Sequence, residues 1–147
     1  MEKYSYLIAF FIILFSSCLK GGLENLPEFE DCNITGVQKV EYRFEQSNII
    51  KYTALNAKVT IQENQVSIEV SVPTASGDFT EDVRDGVSLT KIAVMVTLST
   101  AARIAPIGDS PKLGVPGDYS KPNKYLVTAA DGKTQKEWTI VITKLIK

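Results

Sequence analysis

The residues able to do chemistry in this chain are few. Of 147 residues none is histidine and two are cysteine, Cys18 and Cys32. Without imidazole there is no Ser-His-Asp or Cys-His nucleophile and no zinc site that uses histidine. Two cysteines far apart do not make a thiolate-only metal site either. Four acids, Asp78, Glu81, Asp82 and Asp85, crowd one stretch beside Gly86. They are weak candidates for Ca²⁺ ligands, because the Asp-x-Asp-x-Asp-Gly spacing and closing glutamate of an EF-hand loop are missing. A glycosidase needs two carboxylates about 5–9.5 Å apart, a condition that four acids in one loop meet by chance. No cofactor motif stands in the sequence, so none is expected.

Recognition of a sugar needs flat aromatic faces and planar polar groups at a loop-rich edge. Tyr119 in a long loop and Tyr52 near a strand junction are the candidates, with Asp118 and Asn123 as hydrogen-bonding partners. The alternative fate for each tyrosine is partial core packing with a wet hydroxyl. Trp138 falls in phase with Ile140 and Ile142 and is assigned to the core.

The elements that position these residues follow from a period of two. Val40, Tyr42 and Phe44 alternate with polar residues, as do Leu55 to Ile61 and Val66 to Val72. Each reads as a half-buried strand. The polar link Gln62-Glu63-Asn64-Gln65 makes the second and third an antiparallel hairpin. Val87 to Leu89 suggests a short strand and Ile92 to Leu98 a stronger one, with Ala93 and Met95 filling its second face. Tyr125 to Ala129 and Trp138 to Ile142 flank Asp131-Gly132, a pair suited to the positive φ of a tight connection. No segment keeps a helical period. About seven short strands predict an all-β, two-sheet sandwich. Two long links, 73–86 and 100–123, interrupt it, and loops of that length often carry function. A net charge of −1 with no clustered basic excess argues against nucleic acid.

The N-terminus has its own order: Lys3, the apolar run Tyr6 to Phe15, then Ser16, Ser17 and Cys18. This is the sequence of regions in a secretory signal, and ten apolar residues rise only about 15 Å as a helix, too short for a ~30 Å hydrocarbon core. The residues alone leave Cys18 three fates: a leftover thiol, a disulfide partner for Cys32, or an attachment point. Leu14-Phe15-Ser16-Ser17-Cys18 resembles the lipobox of bacterial lipoproteins, which implies cleavage before Cys18 and acylation of it. Several acyl chains hold a protein firmly where one does not. On that reading residues 1–17 are a signal peptide, 18–32 a lipidated cysteine and tether, and 33–147 the domain. Cys32 then reads as a small apolar side chain near the domain's start.

At the other end, "YLVTAADGKTQKEWTIVITK", residues 125–144, resembles the closing hairpin of small Ig-like domains in lipoproteins of the Bacteroidetes group. Tyr125, Val127, Thr128, Ala129, Asp131, Gly132, Trp138, Thr139, Val141 and Thr143 carry the resemblance, with "VPTASGDFT" and "DYSKPNKY" upstream. The segments Asp85 to Leu98 and "KLGVPGDYS" are longer than in that family. The resemblance implies an Ig-like sandwich of about seven antiparallel strands on an outer-membrane lipoprotein, facing the cell surface or the periplasm. It implies no catalytic residue. The expected role is a binding or interaction module, with the membrane as one partner and a glycan or another envelope protein as the other. A structural spacer is the alternative, and a carboxylate-dependent glycoside hydrolase the third reading.

Overall fold

The computed structural model describes residues 29–147. The signal peptide assigned to 1–17, the anchor Cys18 and most of the tether lie outside the described residues. Seven strands account for most of the fold: β1 (Ile34–Gln46), β2 (Ile49–Gln62), β3 (Gln65–Ser71), β4 (Ile92–Leu98), β5 (Arg103–Pro106), β6 (Asn123–Thr128) and β7 (Gln135–Ile146). One five-residue helix, α1 (Glu81–Asp85), and a 3₁₀ turn at Leu89–Lys91 sit between β3 and β4. The all-β expectation holds.

The strands run in the order β4-β1-β2-β3-β7-β6-β5. β2 belongs to two sheets. Its first half pairs with β1, from Gln46 opposite Ile49 to Val40 opposite Leu55. Its second half, Asn56 to Gln62, pairs with β3. The strand thus passes from a three-stranded sheet (β4-β1-β2) into a five-stranded one (β2-β3-β7-β6-β5). Between them lies one apolar core: Val40, Tyr42, Ile92 and Val94 from the first sheet, Val66, Ile68, Tyr125, Val127, Trp138 and Ile140 from the second. The buried positions alternate along β3, β6 and β7, as the period-two pattern requires.

Both hairpins read from the sequence are present. β2 and β3 turn at Glu63-Asn64, where Glu63 takes a φ of 51°. β6 and β7 pair with Tyr125 opposite Trp138, and Gly132 supplies a φ of 68°. Asp131 braces that turn by accepting from the backbone N–H groups of Lys133 and Thr134.

Several details depart from the sequence reading. The sandwich is mixed, because β3 and β7 pair in parallel. Val87–Leu89 is not a strand: Ser88 Oγ accepts from Thr90 N–H, starting the 3₁₀ turn instead. β5 lies inside a segment read as loop, because its four residues end at Pro106 and show too little alternation to be seen. Cys32, placed at the end of the tether and read as a small apolar side chain near the domain's start, does pack into the core, and its carbonyl oxygen accepts the indole N–H of Trp138 at 3.0 Å. The next residue, Asn33, exchanges backbone and side-chain hydrogen bonds with Ser99.

Ile140 is fully buried in β7, paired with Val66 on one side and Asn123 on the other. Ile140→Ala should cost about 2–5 kcal/mol, the usual range for a truncation that leaves a cavity. Urea unfolding followed by circular dichroism checks this.

Candidate functional site

The residues singled out for ligand binding part company. Tyr119 has no accessible surface, and its hydroxyl lies 3.2 Å from that of Tyr125. The Tyr125 hydroxyl also donates to the Pro111 carbonyl at 2.9 Å. Burial, and then the neighbouring tyrosine, raise the Tyr119 phenol far above its ordinary value, so it stays neutral. Asn123 is 1% exposed, and its side-chain amide donates to the carbonyls of Asp118 and Lys121. The Asp118 carboxylate accepts from the hydroxyl and backbone N–H of Ser120, bonds that hold its pKa below the usual range. For Tyr119 and Asn123 these are corrections to the sequence reading, while Asp118 stays exposed. A buried ring cannot stack on a sugar, and the amide of Asn123 is spent on two carbonyls of its own loop.

The loop they stabilise covers the open edge of β4. Gly114 N–H donates to Val94, Gly117 N–H to Ile92 and Tyr119 N–H to Leu89, and Ile92 N–H returns a bond to Gly117. Close approach is built in at Gly117, where an added Cβ would stand 2.3 Å from the Pro111 Cβ. The same loop packs over the outer face of the first sheet. Arg43 Nη2 donates to the Gly114 carbonyl at 2.7 Å, and beneath it Ala93 and Glu41 are buried. β4 is covered on its second face at Ala93, as the apolar run Ile92 to Leu98 suggested, while Met95 on that face is half-buried. Glu41 is held between Lys39 (2.9 Å) and Arg43 (2.7 Å). Burial pushes its carboxyl up, but the hydrogen bonds and charges of those two cations outweigh it and hold the pKa below the ordinary 4.5.

The four acids of the 78–85 stretch do not make a metal site. Among the described residues no cluster of three acids or thiols could hold an ion. Asp78 pairs with Lys51 at 2.6 Å and Glu81 with Arg84 at 3.7 Å. Glu81 and Asp82 open α1 behind the Thr80 cap, where negative charge faces the helix N-terminus favourably. That placement accounts for the local excess of acid.

Tyr52 is the candidate ring that reaches solvent. It is 64% exposed, beside Ile49 at 59% and Ile50 at 76%. The Lys39 ammonium sits 4.0 Å from its ring centroid, a cation–π geometry. Next to it opens a groove of about 540 Å³, lined by Phe44, Ile50, Tyr52, Thr53, Asp78 and Phe79 among others. Two of its lining residues, Phe44 and Phe79, meet at 6.0 Å between ring centroids. Sequence reasoning missed Ile49 and Ile50. The signal was an apolar pair directly after Ser47-Asn48, whose φ values of 53° and 60° make the tight β1–β2 turn.

No curated protein matches the chain. A solved structure of a Bacteroides fragilis NCTC 9343 protein assigned as secreted is 37% identical, with a TM-score of 0.72 over 82% of this chain and 100% of the other. A Bacteroides thetaiotaomicron VPI-5482 protein assigned as a glycoside hydrolase is 23% identical, with a TM-score of 0.43 over 84% of this chain and 27% of that one. That likeness is too slight to carry an argument about chemistry.

The buried pair and the shifted acids make the geometry testable. Tyr119→Phe should cost about 0.5–1.5 kcal/mol through the lost hydroxyl contact, and Tyr119→Ala about 3–5 kcal/mol, both read by denaturant unfolding. Glu41, Asp118 and Asp131 all have folded pKa values below their ordinary 4.5, 3.8 and 3.8. The stability they contribute is complete above those values and is lost as pH falls through the lower folded ones. Thermal melts should therefore fall progressively below pH 4.5, and Glu41→Gln should flatten that decline.

Residues 34–141, from the first residue of β1 into β7, match the DUF5018-related family. The chain belongs to the DUF5018-related family.

Proposed function

We propose that this protein is a secreted lipoprotein of the outer membrane, tied to it through acylated Cys18, whose sandwich is a non-catalytic interaction module. The observation that carries the reading is the gathering of exposed apolar and aromatic side chains at Ile49, Ile50 and Tyr52 beside one groove. Tyr42, Tyr119, Tyr125 and Trp138 are all in the core, so the exposed ring of Tyr52 stands apart from them. Likeness to a secreted Bacteroides protein supports export. The lipobox-like order of residues 14–18 supports the anchor.

The non-catalytic part of the proposal draws on the acids. Glu41, Asp118 and Asp131 are all shifted down, the opposite of what a general acid for glycoside hydrolysis needs, so none of these three suits that role. A glycan is the ligand class favoured by the lining of the groove, where the Tyr52 ring adjoins the hydroxyls of Thr53 and Ser76 and the Asp78 carboxylate. A pure spacer would leave that surface without a ligand.

Two measurements test this. Cys18→Ser should move the protein from the membrane fraction to the soluble one, and unchanged partition would exclude the anchor. Calorimetric titration with a panel of host and plant glycans should give saturable heat that disappears in Tyr52→Ala. A folded protein giving no heat with any glycan would turn the reading towards a protein partner or a spacer.

A further inference from the structure

The sandwich treats its strand edges unequally. The free edge of β4 is strapped by the backbone of residues 114–117. β5, at the end of the other sheet, is four residues long and closes with Pro106. The second half of β2 is open opposite β3, but it reads Asn-Ala-Lys-Val-Thr-Ile-Gln and exposes no large apolar side chain. Covering, shortening and polar or charged residues are the usual means of stopping an edge from recruiting another chain. The first half of β2 has little of this protection. From Ile49 to Leu55 it pairs with β1 on one side, and among the described residues no backbone pairs with it on the other. It holds no proline and one charge, Lys51, already neutralised by Asp78. Three of the large apolar side chains that the described residues expose, Ile49, Ile50 and Tyr52, lie on it.

We propose that this edge pairs, antiparallel, with the same edge of a second copy of the chain, which rests on the interaction-module reading and sets that copy in place of a glycan at Tyr52. The segment is suited to a two-fold axis. The register that uses the whole edge sets Ile49 opposite the partner strand's Leu55 position, and so places Tyr52 on the axis, opposite itself. Ile50 then faces Ala54, and Lys51 faces Thr53. No like charges oppose one another, whereas a register centred on Lys51 would set two ammonium groups together. A closed two-fold contact of this kind is self-complementary and cannot propagate into a fibre. The outer rows gain an aromatic pair at Tyr52, each ring already backed by its own Lys39. The two three-stranded sheets become one of six, in the order β4-β1-β2-β2-β1-β4. Seven residues make an edge only about 24 Å long, so the contact is weak in dilute solution and gains from two copies sharing one membrane.

The test uses the full-length protein in its own membranes. Under mild oxidation Tyr52→Cys should cross-link to a dimer, since side chains facing each other across an antiparallel pair are close enough for a disulfide. Ile146→Cys, exposed elsewhere, should not. Two differently tagged wild-type copies should co-purify, and Tyr52→Lys in both should reduce recovery roughly tenfold by setting like charges on the axis. Equal cross-linking of the Tyr52→Cys and Ile146→Cys variants, or tagged copies that never co-purify, would overturn the pairing. If such non-pairing copies still give saturable glycan heat, the interaction module stands and its partner is not itself.

Discussion

The fold depends on one strand serving two sheets. β2 is fourteen residues long, pairs with β1 over its first half and with β3 over its second, and so joins the layers by continuous backbone. Both of its neighbours reach it through tight turns, at Ser47-Asn48 and Glu63-Asn64, with positive φ at Ser47, Asn48 and Glu63. The cost of joining the sheets is carried by local hairpins, which lose little chain entropy on closing. The same arrangement leaves each half of β2 open on one side. The second half meets that exposure with polar side chains, the first with isoleucine and tyrosine.

The long loop after β5 solves the corresponding problem for β4. Its route is fixed by contacts that allow little substitution: Gly117 against Pro111, Tyr119 against Tyr125, and the Asn123 amide under the Asp118 and Lys121 carbonyls. A loop of this composition resembles a binding loop, yet here it is an extra layer of the wall. Glu41 is buried on the outer face of the first sheet, and the two cations beside it offset the cost of burying its charge. Removing either cation would leave a buried carboxylate short of its partners, a costly arrangement.

What the sequence made legible was local. Alternation in Val66–Val72 and Trp138–Ile142 gave strands and faces, and Asp131-Gly132 gave the last hairpin. Trp138 belonged to the core because its phase matched Ile140 and Ile142. What was hidden was non-local. Nothing near β3 or β7 signals that they meet in parallel, and nothing near Tyr119 signals that its loop folds back on β4. Tyrosine is ambiguous for a physical reason, since one end is apolar and the other wet. Tyr52 and Tyr119 thus looked alike in sequence and lie at opposite extremes of burial. The acids at 78–85 were equally ambiguous, and most of them belong to a short helix rather than to a ligand.

The parallel pairing of β3 with β7 has a consequence in time. Gln65 meets Thr139 and Val66 meets Ile140, residues separated by more than half of the described chain. Contacts so distant along the sequence form slowly, because a large loop must close before any of them is made. β7 also sits between β3 and β6 and brings Trp138, Ile140 and Ile142 to the core. Until those last residues are made, the second sheet is split in two and its centre is empty. The β1–β2–β3 hairpins can form as the chain emerges, but the sandwich closes only when its final strand arrives.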